Sequence, residues 1–465
     1  MTMHKIQISD NCYPGKLLQD CIESENKDIE SVAQIAKDIS IFSGRQLDQL
    51  IQENSNLLVF PQNINAFNDE IEELQICSYD NQSKCISTGN MMGFVGAGQT
   101  LMRISSRFDN NINDYFLHYM LQKVFCPHIV NLKHTSTQEN IFDFLLYLFP
   151  YYLNQALSQG LYKEYKKFEY NDCKIKGNIN IQKHLNQNIP FCGLIAYNTR
   201  EYSYDNKITQ LVRHTIEYIK RSFLGKNILQ SKETDDNIRQ IINSTPTYSI
   251  WDRHKVLISN SKRLNHPYFT KYCILQQLCI RILRHEEIKY GNDKDKVYGI
   301  LFDGSWLWEE YLNTILKKCN FIHPRNKAIL KNEKQPIYLF EDNTYDRYPD
   351  FYKNKEMIID AKYKHLGGKI ERNDIHQIIS YMHVLSANTA ALAYPNCKSR
   401  SAYTAIGKLN GLGGNIGLLN LQIPDNCKTY FDFVSNIEIQ ENLFVEAVLN
   451  SVRNYSGPSK LQIVS

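Results

Sequence analysis

No C-x-x-C pair occurs anywhere in this chain, although it holds twelve cysteines. A structural zinc site needs thiolates or imidazoles at close spacing, and the scattered cysteines argue against one. No run approaches the roughly 20 consecutive apolar residues of a membrane-spanning helix. The opening MTMHKIQISDNCYPGK lacks the apolar centre of a signal peptide. The expectation is a cytoplasmic chain with reduced thiols, no zinc and no membrane partner. Excess charge is also scarce: 53 Lys and Arg against 49 Asp and Glu leave a net +4 over 465 residues. That excludes a protein coating nucleic acid through its overall field, so any such contact must come from a local patch. A G-x-S-x-G nucleophile elbow is missing, which removes the usual serine-hydrolase reading. One P-loop-like spacing exists, Gly93 to Gly98-Gln99-Thr100, but glutamine stands where the phosphate-binding lysine is required. The following LMRISSRF alternates like a strand, so this segment reads as a turn between strands and not a nucleotide site.

What is present is the balance of a globular protein, 43% hydrophobic and 22% charged, long enough for two or three cores. Residues 1–56 include a helix expected around Ile29–Leu50. Residues 57–165 begin with short apolar runs between Asn, Gly and Asp turns, a strand texture. They continue with the periodic stretches DYFLHYMLQKVF and NIFDFLLYLFPYYLNQAL, which read as helices. Residues 166–295 read as a mainly helical connecting region, notably Ile208–Phe223 and Tyr268–Arg284, ending in the polar linker Lys289–Lys296. Residues 296–465 change rhythm: a helix at Ser305–Lys317, then strands near Ile337–Glu341, Asp350–Tyr352 and Glu356–Lys364. A helix at Asn373–Leu385 and a strand at Thr389–Pro395 follow. The expected class is therefore α+β and multidomain: strand-rich N-terminal region, helical middle, and a C-terminal αβββαβ core with a mixed sheet. The Gly411–Asn415 segment reads as a connecting loop.

The chemistry concentrates in EMIIDAKYK. Asp360 and Lys362 are two residues apart, so on a strand both side chains leave the same face. Tyr348-Pro349-Asp350 places a second carboxylate on the neighbouring hairpin strand. Two converging carboxylates suit a hard divalent cation that keeps several waters. A lysine beside them can orient water and stabilise charge on phosphorus, a set sufficient for phosphodiester hydrolysis. A D-x-K triplet by itself is usually an exposed ion pair of little consequence. Here Met357-Ile358-Ile359 suggest a buried central strand, where a carboxylate needs a purpose. On the preceding helix, one of Glu309 and Glu310 of SWLWEEYL could reach a metal, Glu309 being the favoured one, against the alternative of a pair of solvated surface charges. Gln377 and Tyr381 lie four apart and share a helix face, able to order the site or meet a phosphate. The expected metal ligands are Asp350, Asp360, the Ala361 carbonyl and Glu309.

These residues resemble the RecB-like branch of the PD-(D/E)xK nucleases: a helix glutamate, P-D, D-x-K, then Q-x-x-x-Y. More closely, LFDGSWLWEEYL, YPDFYKNKEMIIDAKYK and NDIHQIISYMHVLSANTAALAYP resemble the McrC-like subunits of McrBC-type modification-dependent restriction systems. The similarity covers roughly residues 90–425. The resemblance implies a restriction-endonuclease-like fold for the C-terminal core and an endonuclease of antiviral defence. It implies Mg²⁺ as cofactor, with Mn²⁺ as a substitute, and DNA as substrate. Its implied partner is a separate McrB-like AAA+ GTPase hexamer, with the N-terminal half, residues 57–165, docking to that motor. Two other readings share the residues: a stand-alone RecB-like DNA nuclease, and a non-catalytic activator of an AAA+ NTPase.

Overall fold

A computed structural model describes residues 4–23, 29–54, 57–61, 74–109, 114–125, 140–222, 228–288, 297–324, 336–366, 370–398, 401–411 and 413–453. The Lys289–Lys296 linker and Leu412 of the expected Gly411–Asn415 loop lie outside these residues. By contact, the chain divides into two compact units. The first comprises Met1–Val124, Lys133–Ser136 and Asp293–Ser465, and the second Phe125–Leu132 with Thr137–Asn292. The whole is α+β. Among the described residues no helix is long and apolar enough to cross a membrane.

The first unit holds two five-stranded sheets. In the N-terminal sheet the strands run in the order His4–Ser9, Thr100–Ser105, Met91–Ala97, Val297–Asp303, Leu57–Phe60. Met91–Ala97 is buried along its whole length, as a central strand covered on both faces requires. Its neighbours crowd it: a Cβ on Gly93 would stand 2.2 Å from the Ile300 carbonyl oxygen, so only glycine fits there. The P-loop-like segment is the turn from this strand into Thr100–Ser105, with Gly98 at φ +55°. Asp38 clasps that turn, accepting from Gln99 N at 3.0 Å and Thr100 Oγ1 at 2.8 Å. The helix expected over Ile29–Leu50 is two helices, Ile29–Ile39 and Leu47–Glu53. Gly44, at φ +67°, breaks them in a conformation few other residues adopt.

Val297–Asp303 runs directly into the helix Gly304–Leu316, whose N-cap is Asp303. The Asp303 carboxylate accepts from Ser305 N at 2.9 Å, satisfying a donor the first helical turn leaves over. Leu307, Trp308, Tyr311, Leu312, Ile315 and Leu316 are buried along one stripe of this helix. The second sheet runs Phe351–Lys353, Met357–Ala361, Thr389–Asn396, Asn415–Gln422, Tyr403–Lys408. Its outer pairs are antiparallel and its inner pairs parallel, so it is mixed. The helix Arg372–Leu385 makes the crossover between the first parallel pair.

Two expectations need correction. The strand expected at Ile337–Glu341 does not join this sheet: Ile337–Tyr338 pairs with Asp346–Arg347 in a separate ribbon. The short apolar run IYLF offers no more than a local partner, and the sheet is completed instead by strands further along the chain. The mainly helical reading of residues 166–295 holds from Lys207 onward, with helices Lys207–Arg221, Lys232–Ser244, Arg253–Ser259 and Lys271–Ile288. Before that lies an antiparallel sheet of Glu164–Asp172, Ile195–Ser203 and Asn178–Ile179. EYKKFEYND and IAYNTREYS are strands with polar and aromatic residues on both sides, so they lack the apolar alternation that reveals a half-buried strand.

Candidate active site

The hairpin Phe351–Lys353 and Met357–Ala361 sets the site's frame. Its turn places Lys355 at φ +60°, and Phe351 pairs with Ile359. Asp350, just before the first strand, therefore continues the register opposite Asp360, and its Oδ2 accepts from the Ala361 N–H at 2.6 Å. Met357, Ile358 and Ile359 are fully buried and carry Asp360, 1% exposed, into the interior. Lys362 N continues the parallel ladder, donating to the Ala393 carbonyl at 2.8 Å.

Lys362 Nζ sits among three acceptors: Asp360 Oδ2 at 2.9 Å, Gln377 Oε1 at 3.2 Å and Asp374 Oδ1 at 3.4 Å. Gln377 Nε2 donates in turn to the Tyr381 hydroxyl at 3.1 Å, and that hydroxyl reaches the Tyr348 carbonyl at 3.5 Å. The Gln377–Tyr381 pair thus spans from the lysine to the P-D segment. Glu309 Oε1 and Glu310 Oε1 lie 3.8 Å and 3.9 Å from the two ring nitrogens of His323. His323 Nδ1 is 2.7 Å from the Asp350 carbonyl oxygen, which can only accept, so Nδ1 carries the proton.

Charge in this cluster is unbalanced towards the negative. Burial, then Glu309, then Asp360 hold the Asp350 carboxyl well above the usual carboxylate range. Burial raises Asp360 likewise, against the opposing charge of Lys362. Burial would lower the Lys362 ammonium, but Asp360, Asp350 and Asp374 overcome it and raise its pKa. His323 is raised too, the Glu310 and Asp350 contacts outweighing burial. Asp360 Oδ2 is buried and its close charged partner is the Lys362 ammonium at 2.9 Å, which also faces Asp374 Oδ1. Buried carboxylates that resist ionising together and share one ammonium are an environment a divalent cation relieves.

The donors present are hard oxygens, which fit Mg²⁺. Among the described residues no three His, Cys, Asp or Glu side chains stand close enough together to hold a metal ion. The oxygens available to such an ion are those of Asp350 and Asp360 with the Ala361 carbonyl, and Glu309 is the helix carboxylate whose charge acts most on Asp350.

Three groups here escaped the sequence reading. Lys364 continues the alternation of Asp360 and Lys362, and its Nζ lies 2.6 Å from Asp374 Oδ2. Asp374, 6% exposed, bridges both lysines from the first turn of its helix, one turn before Gln377. Each carried a spacing signal. His323 carried none, because only the fold brings it to Asp350.

The residue between the two lysines points the other way. The Tyr363 hydroxyl is 2.7 Å from Ser106 Oγ, just past the strand Thr100–Ser105, and 3.2 Å from Met92 Sδ on the strand Met91–Ala97. The Arg107 guanidinium lies 4.8 Å from the centre of its ring. The ring packs where a Cβ on Gly304 would come within 2.8 Å of it. One side chain thereby ties the D-x-K segment to the N-terminal sheet and to the start of the Glu309 helix.

Comparison with known proteins places the chain in a family. No curated protein matches the chain. Among solved structures, the chain is similar to a half-complex from a tetradecameric assembly of Thermococcus gammatolerans McrB AAA+ hexamers with bound McrC. The identity is 14% over 96% of this chain and 99% of that one, with a TM-score of 0.47. It is also similar to a chain of the Thermococcus gammatolerans McrBC complex, at 12% identity over 70% of this chain and 89% of that one, TM-score 0.30. The family described as the McrBC 5-methylcytosine restriction system component matches residues 86–395. With about two thirds of its length matched and all the residues above inside that span, the chain belongs to the McrBC family of restriction system components.

Proposed function

We propose that this chain is the DNA-cutting subunit of its restriction system, a Mg²⁺-dependent endonuclease of the PD-(D/E)xK class driven by a separate McrB-like AAA+ GTPase. The observation that carries the reading is the meeting of Asp350, Asp360 and Lys362 on one buried hairpin, with carboxylates in excess. Family membership supports the restriction context and, through it, DNA as substrate and the motor as partner.

In this reading Asp350, Asp360 and the Ala361 carbonyl hold the cation. When bound, Mg²⁺ supplies Lewis-acid stabilisation of the charge that develops on the phosphate. Lys362, kept as an ammonium by Asp360 and Asp374, orients the attacking water and offsets negative charge at phosphorus. It donates and does not accept a proton in this state. Gln377 and Asp374 fix the direction of its Nζ, and Tyr381 fixes Gln377. Glu309, through His323 and its charge on Asp350, tunes the first carboxylate without touching the substrate.

The test is plasmid cleavage by the purified chain with Mg²⁺, with and without a McrB-like GTPase from the same genome, with GTP or ATP, on modified and unmodified DNA. Cutting only when motor and nucleotide are both present is expected. Cutting by the chain alone would overturn partner dependence and favour a stand-alone nuclease.

A further inference from the structure

The small sheet of the second unit carries a face that neither the fold nor the cutting site uses. Tyr165 pairs directly with Tyr202, and Lys167 with Arg200, across the antiparallel strands Glu164–Asp172 and Ile195–Ser203. Residues two apart on a strand share a face, so these four side chains emerge together. All four are exposed, the tyrosines at 53% and 56%. The rings stack at 3.9 Å. Lys163 Nζ lies 5.0 Å from the centre of the Tyr202 ring and Arg200 Cζ 5.6 Å from that of Tyr165. The result is a column of cation, ring, ring and cation, with Lys167 beside it.

Two features of this column call for an outside anion. Like charges directly opposite one another on neighbouring strands destabilise a sheet, and Lys167 and Arg200 are such a pair. Nothing at hand offsets the cost: among the described residues no carboxylate is within ion-pairing distance of Lys163, Lys167 or Arg200. Acids do occur on the same strands, but Glu169 is taken by Lys183 at 3.1 Å and Glu164 lies 4.0 Å from Lys207. Three uncompensated cations, two of them positioned by aromatic rings, thus stand on an exposed face. The chain as a whole has almost no charge excess, so this is a local patch of the kind a polyanion needs.

We infer that this face, Lys163, Lys167 and Arg200 around the Tyr165–Tyr202 stack, binds the phosphodiester backbone of duplex DNA at a site separate from the cutting centre. The outer faces of the rings are covered by the cations, so bases do not stack here. The tyrosine hydroxyls and the three cations are what a backbone would meet, and such contacts position DNA without reading its sequence. The inference rests on the proposed function only for the choice of polymer.

The experiment measures binding without cutting. Fluorescence anisotropy of a labelled duplex is followed in EDTA for the full chain and for Lys167→Ala/Arg200→Ala, at several salt concentrations. Loss of two phosphate contacts is expected to reduce the slope of log affinity against log salt by about 2, at roughly 0.9 per phosphate. The variant should bind roughly tenfold more weakly at low salt, where those contacts count most. Its thermal melt should be unchanged or higher, since a like-charge pair has been removed. A control, Lys255→Ala/Lys262→Ala, removes the same charge from exposed helical and loop positions in the same unit and should keep the wild-type slope. Equal loss in the control would reduce the effect to net charge and overturn the proposal. Wild-type affinity and slope in Lys167→Ala/Arg200→Ala would also overturn it, leaving an acidic protein surface as the occupant. Cleavage is read separately in Mg²⁺: unchanged binding in Lys167→Ala/Arg200→Ala sinks this face, undiminished cutting by Asp360→Ala sinks the cutting assignment, and the two failures are distinct.

Discussion

Two buried carboxylates of the first unit, Asp10 and Asp360, are both 1% exposed and both face a cation, yet they are built differently. Asp10 is fully answered. It accepts from Arg107 N at 2.6 Å and Arg107 Nε at 2.9 Å, and Arg107 Nη2 stands 2.7 Å away. The same guanidinium also donates to Asn90. Asp360 has a lysine that it shares with Asp374, and it lies near Asp350, on which Glu309 also acts. A guanidinium that serves no second carboxylate is how a fold buries charge for its own sake. A shared partner with acids in excess is how a protein keeps room for a ligand. The comparison distinguishes an ion pair whose cation serves one carboxylate from one whose cation serves two, when both would read as buried Asp with a basic neighbour.

The sharpest way to break it is to remove each carboxylate or its partner. Asp360→Ala should lower cleavage by at least about 10²–10³-fold, as loss of a group acting on transition-state charge does. Its melting temperature should not fall, because a buried acid among like charges is gone. Arg107→Ala should do the reverse, costing about 3–5 kcal/mol in denaturant unfolding because Asp10 is left buried and unpaired. A melting loss in Asp360→Ala as large as that in Arg107→Ala would erase the distinction.

Ligand and pH sharpen it further. Millimolar Mg²⁺ at neutral pH should raise the melting temperature of the wild type by a few degrees, through binding to the folded state alone. The shift should vanish in Asp360→Ala and persist in Asp10→Asn. Burial pushes the Asp10 carboxyl up from the usual 3.8 to about 6, despite Arg107. A folded pKa above the unfolded one means the native state binds more protons between the two values. Stability from this group therefore falls as pH rises from about 4 to about 6, and is flat beyond. Denaturant unfolding of Asp10→Asn across that window should lack this component of the slope.

The smallest effect tests the tie between the regions. Tyr363→Phe removes the hydroxyl contact to Ser106 and should cost about 1 kcal/mol. Cleavage should drop only a few-fold, with kcat affected and KM unchanged, since Tyr363 adjoins Lys362 but faces away from it. An unchanged kcat would show that the N-terminal sheet does not position the D-x-K segment.

How much of this was legible depends on the range over which each signal acts. Asp350, Asp360 and Lys362 were visible as a group because strand alternation and a tight hairpin are local rules. Gln377 and Tyr381 were visible because a helix repeats every three to four residues. Lys364 and Asp374 obeyed the same two rules and could have been found by extending them by two and three residues. His323 and the Asp10–Arg107 pair follow no local rule at all. Val297–Asp303 was hidden for the same reason: its partners, Met91–Ala97 and Leu57–Phe60, are some 200 residues earlier. The sheet over residues 164–203 was missed on different grounds, since its exposed strands carry no apolar periodicity.

The amino-acid order by itself determined which side chains share a strand or helix face, and hence that two carboxylates and a lysine would meet at one hairpin. Backbone geometry repeats over a few residues and needs no distant partner to do so. Only the tertiary structure decided that Asp360 shares its lysine with Asp374, that Asp10 shares Arg107 with no second carboxylate, and that Tyr363 joins the D-x-K segment to the N-terminal sheet. Those outcomes depend on burial and on the competition of groups far apart in the chain for one donor, which no local pattern records.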